Sequence, residues 1–258
     1  MKIQLLILLP LAFLLIFRAE AQDARQIADK AGKAVEFDAM EMTATLTIRD
    51  GRGNERVRQI ANASRKFGAV NKTLMKFLSP ADVKGTAMLV LDNEDKDDDM
   101  WIYMPALRKT RRIVSTEKGK SFMGSEFSNA DMSRPNLGQF THKVLGSATV
   151  NGKDCWKVES ACLDENIEDQ MGFSRKVALI EKTTYLTQQV DYYDFDGELF
   201  KVMTFSNYKK QANGKYFAFV MEMKNKQNGR SSTIAIDQFQ LGSKLAEDYF
   251  STATLEKQ

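Results

Sequence analysis

"EMTATLTIRD", residues 41–50, decides how the rest of the chain is read. Met42, Ala44, Leu46 and Ile48 fall on one side of an extended chain, and Glu41, Thr43, Thr45, Thr47 and Arg49 on the other. Period two with β-branched residues marks a strand that buries one face. Softer versions of the same alternation run through "RQIANASRKF", "NKTLMKFLSP", "KVALIEK", "TQQVDYYD", "LFKVMTFSNY", "YFAFVMEMK" and "STIAIDQF". Between them stand Asp50-Gly51, Asn151-Gly152, Asp196-Gly197, Asn213-Gly214 and Asn228-Gly229, pairs that accept the positive φ angles of tight hairpins. Parallel pairing needs crossovers of a dozen or more residues, and none is visible between residues 41 and 113. The expectation is a mainly β, antiparallel meander with a few helices.

Two segments depart from this rhythm. "DARQIADKAGKAV" (23–35) places Ile27, Ala31 and Ala34 at helical spacing, with Asp23 as N-cap. "STEKGKSFMGSEFSNADMSRPNLGQF" (115–140) mixes glycines, polar residues, Phe122, Met123 and Phe127 without period two. A connection this long inside a compact domain reads as a lid or binding segment, with a short helix around Asn129 to Met132. The closing "KLAEDYFSTATLEKQ" reads as polar and partly helical, and "DENIED" (164–169) as an exposed loop.

The first residues, "MKIQLLILLPLAFLLIFRAEAQ", carry Lys2, an apolar run from Ile3 to Phe17 and the small-residue cleavage pattern Ala19-Glu20-Ala21. This is the pattern of a secretory signal peptide over residues 1–21, its apolar run short of the ~20 residues of a membrane span. The predicted mature chain starts near Gln22 and forms one domain, residues 22–258, since four prolines and no Ser/Gly-rich linker mark no boundary. Taking Lys2, Arg18 and Glu20 out of the 37 basic and 34 acidic residues leaves 35 and 33, a net of +2. So small an excess argues against a nucleic-acid binder. Cys155 and Cys162 are the two cysteines. In a strand, seven residues put them ~23 Å apart on opposite faces, beyond the ~7 Å of a disulfide, so two buried free thiols are expected.

No catalytic constellation emerges. His142 is the single histidine, which excludes multi-histidine metal sites, and nothing around it resembles a nucleophile elbow. Asp95, Asp97 and Asp99 have calcium-loop spacing, yet Met100 and Ala106 occupy the positions of the turn glycine and the bidentate glutamate. The sequence therefore predicts no enzyme, no metal and no cofactor. What it offers is apolar surface. "TAMLVL", "MWIYM" and "YFAFVM" are apolar on both strand faces, and methionines cluster in the strands and the long connection. Flexible, polarisable methionine suits a cavity that adapts to irregular apolar ligands.

The block "MKFLSPADVKGTAMLVLD" followed by "DDMWIYMPALRKTRRIVSTEKGKSFMGSEFS", together with "DCWKVESA" and "TYLTQQVDYYDFDGELFK", resembles the LolA-like outer-membrane lipoprotein-sorting proteins of Gram-negative periplasms, in their broad uncharacterised branch. The resemblance covers nearly the whole mature chain. It implies a strongly curved antiparallel sheet, a half-open β-barrel closed by helices and a lid loop, in a periplasmic monomer. It implies a carrier that takes lipid acyl chains or lipoproteins into an apolar cavity, with an inner-membrane transporter or outer-membrane acceptor as partner. The alternative is a sensor or adaptor domain serving a membrane regulator or exporter. On this reading the cavity is lined by Leu46, Ile48, Met75, Phe77, Met88, Trp101, Tyr103, Phe122, Met123, Phe127, Phe219 and Met221. Arg111 or Arg112, in the basic run after "WIYMPAL", is expected to meet a lipid headgroup, a lid carboxylate or an acidic partner.

Overall fold

The computed structural model describes residues 24–93 and 96–257. The signal-peptide expectation, the Asp23 cap and Asp95 lie outside the described residues. Helix α1 (24–34) leads into strands β1 (Ala39–Arg49), β2 (Glu55–Phe67), β3 (Val70–Ser79), β4 (Ala87–Asn93), β5 (Asp99–Met104) and β6 (Lys109–Ile113). After a long connection come β7 (Phe140–Val150), β8 (Lys153–Cys162), helix α2 (Glu165–Met171), β9 (Arg175–Glu181), β10 (Thr187–Tyr193), β11 (Leu199–Lys210), β12 (Tyr216–Asn225) and β13 (Ser231–Leu241). A short helix α3 (Thr252–Glu256) follows.

All 13 strands form one antiparallel sheet in the order β6-β5-β4-β3-β2-β1-β13-β12-β11-β10-β9-β8-β7. Two meanders, β1–β6 and β7–β13, run outward from a central seam where β1 pairs with β13, from Met40 opposite Leu241 to Arg49 opposite Ser231. The five expected Gly turns each join neighbouring antiparallel strands. At the two-residue β7–β8 turn, Asn151 and Gly152 both have positive φ (50° and 77°), the geometry a type I′ hairpin demands. Register slips in β1, β2, β7 and twice in β10 add local twist.

Topology forces the curvature. β6 and β7 are the two edges, and 13 strands at ~4.8 Å spacing would make a flat ribbon about 60 Å wide. The connection between them, residues 114–139, is folded into 3-10 turns and a bridge rather than stretched. Only a sheet rolled onto itself, its edges unpaired, lets so compact a segment join both edges. The result is a half-open barrel whose concave side is crossed by its own chain.

The core divides by face. On the concave side Leu46, Ile48, Ile60, Met75, Phe77, Met88, Val90, Met100, Val190, Met203 and Met223 pack beneath Phe122 and Phe127 of the crossing connection. At the β7–β9 end, α1 sets Ala24, Ile27 and Ala31 on Trp156, Val158 and Ile180, side chains in phase with Cys162 of the concave core. On the convex side Leu74, Leu89, Tyr103 and Trp101 lie under Phe250 and Leu255 of the C-terminal segment. That segment is thus more apolar in its packing than its composition suggests.

Residues 164–169 depart from the expected loop. Asp164 caps α2 by accepting the Ile167 N–H at 3.0 Å, Glu165 and Glu168 sit in the first turn, and Gly172 closes the helix in the left-handed region. Carboxylates complement the positive end of a helix, so the same acidic run is a helix start. Cys155 is buried and Cys162 half-buried on the other face of β8, both as free thiols. Burial pushes the Cys162 thiol up to about 12.

Candidate functional site: a plugged trough

Residues 121–128, "SFMGSEFS", form a small hairpin inserted into the trough. Phe122 donates its N–H to the Phe127 carbonyl at 2.8 Å, and Ser125 N–H returns to the Phe122 carbonyl at 3.0 Å. Met123 (φ 52°) and Gly124 (φ 77°) turn the tip, the pair of left-handed residues that such a turn requires. Phe122 and Phe127 are each 1% exposed, and Phe122 packs against Phe77 of β3 with ring centroids 5.8 Å apart. The expected apolar trough is present, but it is filled by the chain's own side chains.

Polar contacts from the sheet hold the hairpin. The buried Arg58 of β2 donates to the Met123 carbonyl, and Arg230 donates to the Gly124 carbonyl at 3.1 Å. Glu126, whose side chain is 6% exposed, meets four residues of the sheet and its immediate flank. Arg230 Nε lies 2.8 Å from its Oε1 as an ion pair without hydrogen-bond alignment. Asn225 Nδ2 donates to Oε2 at 3.0 Å, Ser232 Oγ accepts the Glu126 N–H at 2.9 Å, and Lys201 Nζ donates to the Glu126 carbonyl at 2.8 Å and sits 4.0 Å from Oε2. Desolvation lowers the Lys201 ammonium below its ordinary range, against the opposing pull of Glu126. Burial also depresses Lys176 of β9, whose ammonium lies 5.1 Å from the Phe140 ring and is attracted by Asp131. A charge is costly to bury without a partner, so the carboxylates of the connection, Glu126 above all, keep these cations tolerable inside the trough.

Further anchors fix the ends. Arg111 Nη1 pairs with Glu117 Oε2 at 2.7 Å where the connection begins, and this guanidinium holds the Glu117 carboxyl below the usual carboxylate range. Arg134 bridges Asp92 of β4 at 2.8 Å and Glu36 after α1 at 2.5 Å. Gly119 lies against Gly172 at the end of α2 so tightly that a Cβ on Gly119 would stand 2.6 Å from the Gly172 nitrogen.

The expected lining residues separate into four groups. Leu46, Ile48, Met75, Phe77 and Met88 lie on the concave sheet face under the hairpin, and Met221 packs at its margin. Phe122, Met123 and Phe127 are the plug itself. Phe219 joins Phe37, Phe217 and Phe239 in a half-buried aromatic group. Trp101 and Tyr103 are corrected: they face the convex side, under Phe250 and Leu255, and line no trough. Alternation in a strand apolar on both faces says which residues share a side, not which side is inward. Arg112 also points away from Arg111, pairing with Asp99.

The residues missed by sequence reading are Arg58, Lys201, Asn225, Arg230, Ser232 and Glu126. A signal existed for two. Lys201 is in phase with Met203 and Phe205, and Arg58 with Ile60, so each is a charge written into an apolar face. A cavity of about 230 Å³ opens beside Phe37, Asn62, Asn71 and Asp92, smaller and more polar than the ~300 Å³ and upward of ligand pockets. An open groove of about 580 Å³ lies near Lys84, Gly85, Tyr103 and Arg108, away from the hairpin. His142 is buried, its Nδ1 3.0 Å from Ser160 Oγ and its Nε2 3.0 Å from the Leu137 carbonyl, and desolvation lowers its pKa.

A one-sheet trough crossed by its own chain places the protein in the LolA-like structural class. A family model described as that of an uncharacterised protein matches residues 69–257, and the chain belongs to this family, the LolA-like DUF1329 family. A Vibrio parahaemolyticus domain named for outer membrane lipoprotein sorting superposes with a TM-score of 0.85 at 29% identity, covering 92% of this chain and 99% of that one. A DUF1329 family protein from Desulfovibrio piger gives 0.84 at 28% identity, with the same coverages. A LolA superfamily protein from Nitrosomonas europaea shares the fold, with a TM-score of 0.71 at 17% identity over 90% of this chain and 98% of that one. No curated protein matches the chain.

Proposed function

We propose that the protein is a periplasmic carrier that takes the acyl chain of a lipid or lipidated protein into the trough when the 121–128 hairpin withdraws. The observation that carries this reading is that one short inserted hairpin, not a second sheet, covers the apolar floor made by Leu46, Met75, Phe77 and Met88. The magnitudes allow the exchange. Burying two phenylalanine side chains contributes roughly 3–6 kcal/mol, whereas a tail of a dozen methylenes at ~0.8 kcal/mol each contributes about 10 kcal/mol. The relative named for outer membrane lipoprotein sorting supports the same class of cargo and the same compartment. His142 is engaged at both ring nitrogens by a hydroxyl and a backbone carbonyl, which supports a binding role for the domain rather than a chemical one.

The filled trough also favours a second reading: an adaptor whose cavity is permanently closed and whose outer surface meets a membrane partner. Native mass spectrometry of the exported protein decides between them. The carrier reading expects mass adducts of one acyl-chain lipid that disappear on organic extraction. Protein that stays lipid-free after incubation with lipid vesicles, while still recruiting a membrane partner, sinks it.

A further inference from the structure

We infer that the group binding Glu126 is an anion site built into the sheet, and that the ligand displacing the hairpin is an amphiphile with a negatively charged head. This deepens the carrier reading and rests on it. The side-chain groups that meet Glu126 come from three adjacent strands or their immediate flank: Lys201 from β11, Asn225 from β12, and Arg230 and Ser232 at the start of β13. None belongs to the hairpin, so the donors stay in place on the sheet when the hairpin leaves. Lys201 and Arg230 would then face an apolar floor with no carboxylate between them. Phe122 and Phe127 flank Glu126 in the chain and lie on the same floor. The hairpin thus presents one anion with apolar groups beside it, the chemistry of a fatty carboxylate or a lipid phosphate. A neutral head would leave the largely buried Lys201 and the half-buried Arg230 without the carboxylate that now sits between them, which is the costlier outcome.

The test compares dodecanoate with dodecan-1-ol, tails of equal length that differ in charge, by titration calorimetry below micelle formation, with acetate as the head alone. The wild-type chain is expected to bind dodecanoate at least about tenfold more tightly than the alcohol, a difference of about 1.4 kcal/mol, and acetate not measurably. Glu126→Gln removes the internal competitor and is expected to tighten dodecanoate by a similar factor while leaving the alcohol nearly unchanged. Arg230→Gln is expected to erase the preference for the anion, and it carries the test alone should Glu126→Gln not fold. Equal affinity for acid and alcohol in the wild-type chain, or a preference untouched by Arg230→Gln, overturns the anion site and leaves the carrier intact. Binding of neither tailed compound by the wild-type chain overturns both, and acetate binding as tight as dodecanoate overturns the amphiphile.

Discussion

His142 is a buried ring held neutral. Nε2 faces a backbone carbonyl and therefore carries the hydrogen, leaving Nδ1 to accept from Ser160. Desolvation sets the folded pKa below the ordinary 6.5. The unfolded chain takes up its proton near that ordinary value and the folded chain only at lower pH, so below it the unfolded state holds more protons and stability falls with pH. The loss begins near pH 6.5 and ends once the pH passes the depressed folded value. Denaturant midpoints measured from pH 7.5 to 5.5 should decline in the wild-type chain, and His142→Gln should be less stable at pH 7.5 yet flatter across the range. A wild-type slope unchanged by that substitution would place the titrating group elsewhere.

The long connection is the element on which the proposed function turns, and its weak point is the backbone contact between Gly119 and Gly172. A methyl on Gly119 meets backbone rather than a flexible side chain, so one of the two segments has to shift. α2 is fixed by its Asp164 cap and its neighbours, whereas the stretch of the connection just before Gly119 is tied to the sheet by the exposed Arg111–Glu117 pair, worth at most ~1 kcal/mol. Gly119→Ala is therefore expected to loosen the connection and speed hydrogen exchange at the Phe122 and Ser125 amides, with strands β8 and β9 unaffected. Exchange that rises equally across the sheet would show that the plug does not open by itself.

Elements were legible in the sequence to different depths. Alternation in β1 and the Asn-Gly and Asp-Gly turns gave strands and hairpins directly, because side-chain phase and positive φ are local properties. The helix at Asp164 was readable from its cap and acidic first turn but is only seven residues long, too short for an apolar stripe to show. The inward face of β5 was not readable, since Trp101 and Tyr103 are as apolar as Met100 and Ile102. Nor was the occupant of the trough. The sequence announces a long connection containing Phe122 and Phe127, but whether those rings cover a cavity or fill it depends on the rolled sheet beneath them.

At the scale of the whole molecule, the sheet is closed at its centre by the first and last strands. Thr45 of β1 hydrogen-bonds Asp237 of β13 at 2.9 Å, across a sequence separation of 192 residues. No local pattern encodes a pairing of that range, which is why the two meanders were visible and their seam was not. A chain ending before Ser231 loses β13, exposing the unpaired edges of β1 and β12, and with it Ser232 from the Glu126 site. It is expected to lose cooperative unfolding as followed by circular dichroism. A truncated chain that melts in a single sharp transition would show that the halves stand on their own.

That seam also governs how the molecule is made. Pairing across nearly the full length is slow to form, and β13 is the last strand to leave the ribosome. Until it does, β1 waits with one flank open and neither half can complete its sheet. The nascent polypeptide thus keeps its central seam open until β13 has been made, and the two meanders wait on that one strand to be joined.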